Sequence, residues 1–255
     1  MTAPLRFSHL KWMAESPAHY RHAVDTPWPS TAAQSLGTAV HRLMEGRPLP
    51  VYPGAVRRGK EWEAWKLEHG AESVTAEEDR TARAMVASIH RHPVASTLVG
   101  VGVHERRIDW TFGGRAASST PDLYRIQPCG GFVVDLKTCR SAKPDLFLRD
   151  VRRYHYHAQL AFYRQAIGAV EDVDPSTLQA YIVAVESRAP YPVTVVRMTS
   201  RALLDGLASC YLWLERLRIC EAADDWPGYS DHIAIDFDTA DDDDVMLTFR
   251  EDGDE

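Results

Sequence analysis

The 255-residue chain is 45% hydrophobic and 25% charged, the balance of an ordinary globular protein, which excludes a collagen or a wholly disordered chain. No apolar run reaches the roughly 18–20 residues that cross a bilayer, and the first eleven residues lack the basic-then-apolar order of a secretory signal. A cytoplasmic protein with no membrane partner is therefore expected. Cys129, Cys139, Cys210 and Cys220 are too few for a disulfide framework, and their separations match no C-x-x-C metal pattern, so free thiols are expected. The net charge of −7 is uneven: residues 221–255 carry fourteen Asp or Glu against Arg250 alone, leaving the first 220 residues at +6. A mildly basic body is compatible with phosphate binding, because the local field at a groove is what attracts a polyanion.

The first hundred residues read as helical. Ser8–Ala23 forms one helix or a pair broken at Ser16-Pro17, followed by helices over Ser35–Glu45, Lys60–His69 and Thr75–His90. The last opens on Thr75 with Glu78 three residues on, a capping-box pattern. The period then changes. Val103–Phe112, Pro121–Gln127 and Gly131–Lys137 are short and β-rich, with Cys129-Gly130-Gly131 as the hairpin turn. A helix over 151–169, strands over Leu178–Glu186 and Pro192–Met198, and a helix over Ser200–Glu221 complete the body. The order describes an α/β domain with a mixed sheet flanked by helices and a helical N-terminal region. One domain over 1–222 and an acidic extension over 223–255 is the simplest division.

The most informative stretch is Pro121-Asp122, then twelve residues, then Asp135-Leu136-Lys137. With a hairpin between them, antiparallel pairing sets Asp122 beside Asp135, and period-2 alternation puts Asp135 and Lys137 on one face. Two carboxylates and a lysine then converge at one sheet end. Carboxylate oxygens suit Mg²⁺ or Mn²⁺, which keep several waters and bind substrate phosphates. Lys137 is placed to orient or deprotonate an attacking water, or to stabilise charge on phosphorus. Charged residues at strand ends are otherwise merely solvated, but here a polar pair interrupts the apolar run Val133-Val134.

These residues resemble the core of the PD-(D/E)XK nuclease superfamily, in the arrangement of its RecB-like branch. Gln159 and Tyr163 match the Q-x-x-x-Y element that follows the core, His41 in Gly37-Thr38-Ala39-Val40-His41 matches the upstream histidine, and Glu105 matches the upstream acidic residue. Ser8–Lys11 with Ser16–Tyr20, Leu36–Leu43 and Ala82–Pro93 are similar to the nuclease domains of phage and prophage exonuclease VIII (RecE) proteins, relatives of lambda exonuclease. The likeness covers about residues 5–200. It implies a restriction-endonuclease-like core and a Mg²⁺-dependent exodeoxyribonuclease, with Mn²⁺ as substitute. The implied substrate is double-stranded DNA ends degraded 5′ to 3′, and the implied partners are a single-strand-annealing protein and further copies in a ring-shaped homo-oligomer. Implied metal ligands are His41, Asp122 and Asp135; Lys137 assists the attack, Glu105 joins the catalytic set or pairs with Arg106 or Arg107, and Tyr163 packs while Gln159 reaches the site or a substrate phosphate. In related sequences Gly-Arg stands just before the motif Asp, whereas here Gly114-Arg115 lies further upstream.

Weaker features remain. Arg57, Arg58 and Lys60 form a basic cluster that touches DNA phosphates or is simply solvated, and Trp12, Trp28, Trp62 and Trp65 either stack on bases or pack. No G-x-x-x-x-G-K-[ST] motif is present. A CRISPR-adaptation nuclease of the same superfamily needs closely grouped cysteines for an iron–sulfur cluster, which the spacing here does not supply. A catalytically inactive DNA-end-binding or assembly protein of the same fold is the alternative from another class. The tail is expected to be solubilising, a docking segment or a DNA mimic.

Overall fold

The computed structural model of the chain describes residues 3–26, 31–70, 72–128 and 130–229. Trp28, Cys129 and the acidic tail beyond Tyr229, with its Val245–Phe249 pentad, lie outside the described residues. The N-terminal part is helical: α1 (Phe7–Leu10), a 3₁₀ turn (Lys11–Ala14) and α2 (Pro17–Asp25). Of the two readings, one helix or a pair broken at Ser16-Pro17, the structure has the break, because Ser16 is extended and its Oγ accepts from His19 N at 3.2 Å while Pro17 occupies the first helical position. Then come α3 (Ala32–Met44), β1 (Val51–Tyr52), α4 (Gly59–His69), β2 (Val74–Thr75) and α5 (Ala76–Arg91). The capping box of Thr75 and Glu78 is formed. A second one, Thr31 with Gln34, starts α3 several residues before the expected Ser35. A short helix, α6 (Pro93–Val99), is additional to the expected set; the His92 ring caps it by accepting from Ala95 N at 3.1 Å.

The β-rich half contains β3 (Val103–His104), β4 (Ile108–Phe112), β5 (Arg115–Ser119), β6 (Leu123–Gln127) and β7 (Gly130–Cys139). After it follow α7 (Pro144–Arg153), α8 (Tyr156–Glu171), β8 (Leu178–Glu186), β9 (Val193–Arg197) and α9 (Ser200–Ala223). Three expectations are corrected. Val103–Phe112 is not one strand: Glu105 adopts φ 45°, which turns the chain out of the sheet, and β4 folds back on β5 through Gly113-Gly114, both at positive φ. The helix expected over 151–169 is two helices, since His155 stands in the left-handed region at φ 57°, which no helix interior accepts. Gly130 and Gly131 are already in strand, paired with Gln127 and Ile126, so neither is in the turn expected of them.

The central sheet has the order β3-β6-β7-β8-β9, with β7 and β8 parallel and the other pairs antiparallel. The mixed sheet is thus the expected one. On one face Val134, Leu136, Val183 and Val185 pack against Ala39 and Val40 of α3 and Met85 and Ile89 of α5. On the other, Val133, Ile182 and Ala184 meet Leu160 and Ile167 of α8 and Leu203 of α9. A further apolar cluster joins Phe7, Leu10 and Met13 to Phe112, Phe162, Trp213 and Leu217, so the β4–β5 hairpin and the N-terminal helices lean on α8 and α9 rather than on the sheet.

Helices α8 and α9 cross at Gly206, where an added Cβ would stand 2.8 Å from the Ala158 backbone. Gly206→Ala should therefore force the helices apart and cost about 1–3 kcal/mol. Urea unfolding checks it, with Gly228→Ala, whose Cβ meets nothing within 4 Å, expected to stay within about 0.5 kcal/mol of the parent.

Candidate metal and catalytic site

The site forms where β7 outruns β6. Their pairing stops at Leu123 opposite Val134, while β7 continues beside β8 to Cys139. The Leu136 peptide groups on the β6 side are therefore left without a strand, and side chains take them. Leu136 N donates to Asp122 Oδ2 at 2.6 Å, and His41 Nε2 donates to Leu136 O at 3.2 Å. That second bond points the other ring nitrogen, His41 Nδ1, at Glu105 Oε1 (3.4 Å) and Asp122 Oδ1 (3.7 Å).

His41 reaches this point because α3 packs closely on β7. A Cβ at Gly37, one turn earlier, would stand 3.1 Å from Thr138 Oγ1. Glu105 reaches it through its left-handed backbone, a strain of about 1–3 kcal/mol of the kind that collects at functional positions. Its alternative partners are engaged elsewhere: Arg106 pairs with Glu171 and Arg107 with Asp109. Burial favours a neutral His41 imidazole, but Asp122 and Glu105 outweigh it and raise its pKa to about 9. The Nδ1 proton has to leave before that nitrogen serves as a ligand.

One atom each of His41, Glu105 and Asp122 lies within 4.8 Å of the others, the one group of this kind among the described residues. Imidazole nitrogen with carboxylate oxygens is a donor set for Mg²⁺ or Mn²⁺. Asp135, expected as a ligand, stands outside that trio. Its side chain is fully buried, Oδ2 lies 2.6 Å from Lys137 Nζ, and Oδ1 has no partner. An orphaned carboxylate oxygen beside three potential ligands fits a cation. Burial pushes the Asp135 pKa up to about 6 against the pull of Lys137. Burial likewise opposes the Lys137 charge, but Asp135 and Asp122 outweigh it and hold the ammonium protonated well above its ordinary range. Its Nζ lies 4.8 Å from the Tyr156 ring centre, a cation–π contact on the other side.

The family model of a PDDEXK-like domain of unknown function, DUF3799, matches residues 6–236. The chain belongs to this PDDEXK-like family. A candidate exonuclease from Eubacterium rectale is similar in structure, with a TM-score of 0.65 at 15% identity over 88% of this chain and 84% of its own. A phage-related exonuclease from Haemophilus somnus covers 88% of this chain and 97% of its own at 14% identity, with a TM-score of 0.40. The first likeness, at that identity, speaks for the fold. Comparison with the curated proteins finds no match.

Elsewhere in the PDDEXK-like domain, Gln159 Nε2 donates to Tyr163 Oη at 3.0 Å on α8. Burial, with Asp135 and Asp122 second, raises the Tyr163 pKa and keeps the phenol neutral. Arg115 pairs with Glu221 at 2.6 Å, away from the site, and Arg57 is taken by Glu78. Trp62 and Trp65 pack edge-on to Tyr52. Cys139, Cys210 and Cys220 are free, on β7 and α9. Sequence reasoning missed the part played by the Leu136 backbone, which no side-chain pattern signals.

Mn²⁺ at about a hundred times its Kd should stabilise the domain by about 2.7 kcal/mol, a rise in Tm of roughly 5–10 °C for a chain of this size. A thermal shift assay reads it. Asp122→Asn should abolish most of the rise, and a chelator should reverse it in the parent.

Proposed function

We propose that the chain is a metal-dependent deoxyribonuclease, a 5′ to 3′ exonuclease acting on double-stranded DNA ends, with Mg²⁺ as cofactor and Mn²⁺ as substitute. The observation that carries the reading is the pairing of a largely buried, charged Lys137 with the fully buried Asp135, one residue either side of the Leu136 peptide bonded by Asp122 and His41. His41, Glu105 and Asp122 would hold the cation, while the buried Asp135 holds Lys137 beside them. When bound, the cation supplies Lewis-acid polarisation of a phosphodiester and lowers the pKa of a water nucleophile.

The protein's own groups supply the rest. Lys137 keeps its proton, so its ammonium stabilises the negative charge gathering on phosphorus and orients water rather than removing a proton from it. Asp135 fixes the position of that ammonium, and Tyr156 covers it from the other side. The Gln159–Tyr163 pair supports the carboxylates from α8 and leaves the Gln159 carbonyl end for the substrate. Direction of digestion, preference for duplex ends, a ring-shaped homo-oligomer and a single-strand-annealing partner are carried by the resemblance to RecE-type domains alone; the Eubacterium rectale protein's description as an exonuclease supports only the exonuclease part of the reading.

Digestion of 5′- and 3′-end-labelled duplexes tests the reading. Activity should require Mg²⁺ or Mn²⁺, vanish in EDTA, and release label from the 5′ end. Lys137→Met and Asp122→Asn should each lower the rate by about 10²-fold or more while circular dichroism stays that of the parent. Near-parental cleavage by either folded variant sinks the assignment.

A further inference from the structure

A cavity lies between the 3₁₀ turn at Lys11–Ala14 and the break between α7 and α8. It has a volume of about 310 Å³ and is walled by Lys11, Trp12, His19, Arg153, Tyr154 and His155, with Glu15 at its edge. Its wall continues toward the site: the Tyr154 ring stands 5.7 Å from Tyr156, tilted by 30°, and Tyr156 covers Lys137. Lys11 is close enough to feel that lysine, since burial lowers its pKa first and the Lys137 charge second, with Asp135 opposing. Lys11 and Arg153 each sit over an aromatic ring, Trp12 and Tyr154, and neither has a carboxylate partner among the described residues. The one acid at the edge, Glu15, is already engaged by the Tyr229 hydroxyl.

That last contact shows where the chain is heading. After α9 ends at Ala223, Trp226 stacks on Tyr20 at 6.0 Å, Pro227 O accepts from Ala18 N at 3.1 Å, and the Tyr229 ring stands 5.5 Å from His19. Residues 226–229 therefore run back along α2 to the rim of the cavity. The sequence that follows, residues 230–255, holds eleven acidic side chains against Arg250 alone. Asp231, Asp236 and Asp238 come within nine residues of Tyr229, an extended reach of up to roughly 30 Å.

We infer that residues 231–244 dock in the Lys11–Arg153 cavity and compete there with the phosphates of a nucleic-acid strand. Spaced carboxylates present to Lys11 and Arg153 the charge that a polyanion backbone would. The docking stands on the cavity and the route of the chain alone; the competition rests on the nuclease reading. It makes the acidic segment a ligand of the domain that precedes it.

Zero-length carbodiimide crosslinking of the full chain, without metal or DNA, tests the docking. The chain has five lysines, Lys11, Lys60, Lys66, Lys137 and Lys143, and none lies in the acidic segment. Peptide mapping should find residues 231–244 joined to Lys11 within one molecule, and Arg153→Glu should cut that product by roughly tenfold. Crosslinks spread over Lys60, Lys66 and Lys143, or found only between molecules, overturn the docking. A second readout covers an unreactive amine: Lys11 should acetylate several-fold faster when the seven aspartates of the segment are changed to Asn, and equal rates overturn it as well. A short duplex added in chelator should suppress the Lys11 crosslink. A crosslink that forms and persists at saturating duplex leaves the docking intact and overturns the competition, which separates it from a failure of the nuclease reading.

Discussion

The arrangement of the site depends on one mismatch in strand length. β7 extends five residues past its last partner on β6, and a buried strand edge cannot leave its peptide groups unpaired without a penalty of about 1–3 kcal/mol each. Leu136 satisfies both of its groups with side chains, a carboxylate from Asp122 and an imidazole from His41. The same two bonds that complete the strand edge therefore orient two candidate ligands. Deleting either side chain would leave a Leu136 peptide group unpaired as well as remove a candidate ligand.

On the other face of β7 the constraint is electrostatic. A fully buried carboxylate beside a largely buried ammonium loses hydration on both sides, and such pairs seldom repay that loss by attraction alone. Burial raises the Asp135 pKa while the Lys137 charge pulls it down, so the pair holds its charges only as a pair. An orphaned oxygen on Asp135 and a strained backbone at Glu105 are features that a purely structural strand end has no reason to keep. Both observations support the proposed reading of this strand end as a cation site.

Around this centre the N-terminal helices act as more than a cap. α1 and the following 3₁₀ turn bring Lys11 to the shoulder of the site, while α2 receives the returning segment 226–229. The two ends of the described chain thus meet on one side of the α8–α9 layer, through Tyr20, Trp226 and Tyr229. The break between α7 and α8 at His155 serves the same region, since it places Arg153, Tyr154 and His155 in a cavity wall and sets the His155 ring edge-on to Trp213.

Much of this was legible in the sequence, because it rests on local rules. The period change from helical to alternating, the Thr75–Glu78 cap, the Ser16-Pro17 break and the spacing of Asp122 to Asp135-Leu136-Lys137 each depend on residues close in the chain or joined by one hairpin. The ordered motifs carried His41 and Glu105 as well, though only by likeness. What the tertiary structure alone decided involves residues that no short-range rule connects. Nothing near His155 announces a left-handed residue, since a glycine or proline signal is missing and packing against α9 settles it. Glu105 reads as mid-strand until the chain has to leave the sheet. Whether Glu105 or Asp135 shares a point with His41 depends on which face of β7 each approaches, and that is fixed by α3 lying against one side of the sheet and α8 against the other. Backbone groups such as those of Leu136 carry no sequence signature, so their unpaired state appears only once the lengths of neighbouring strands are known.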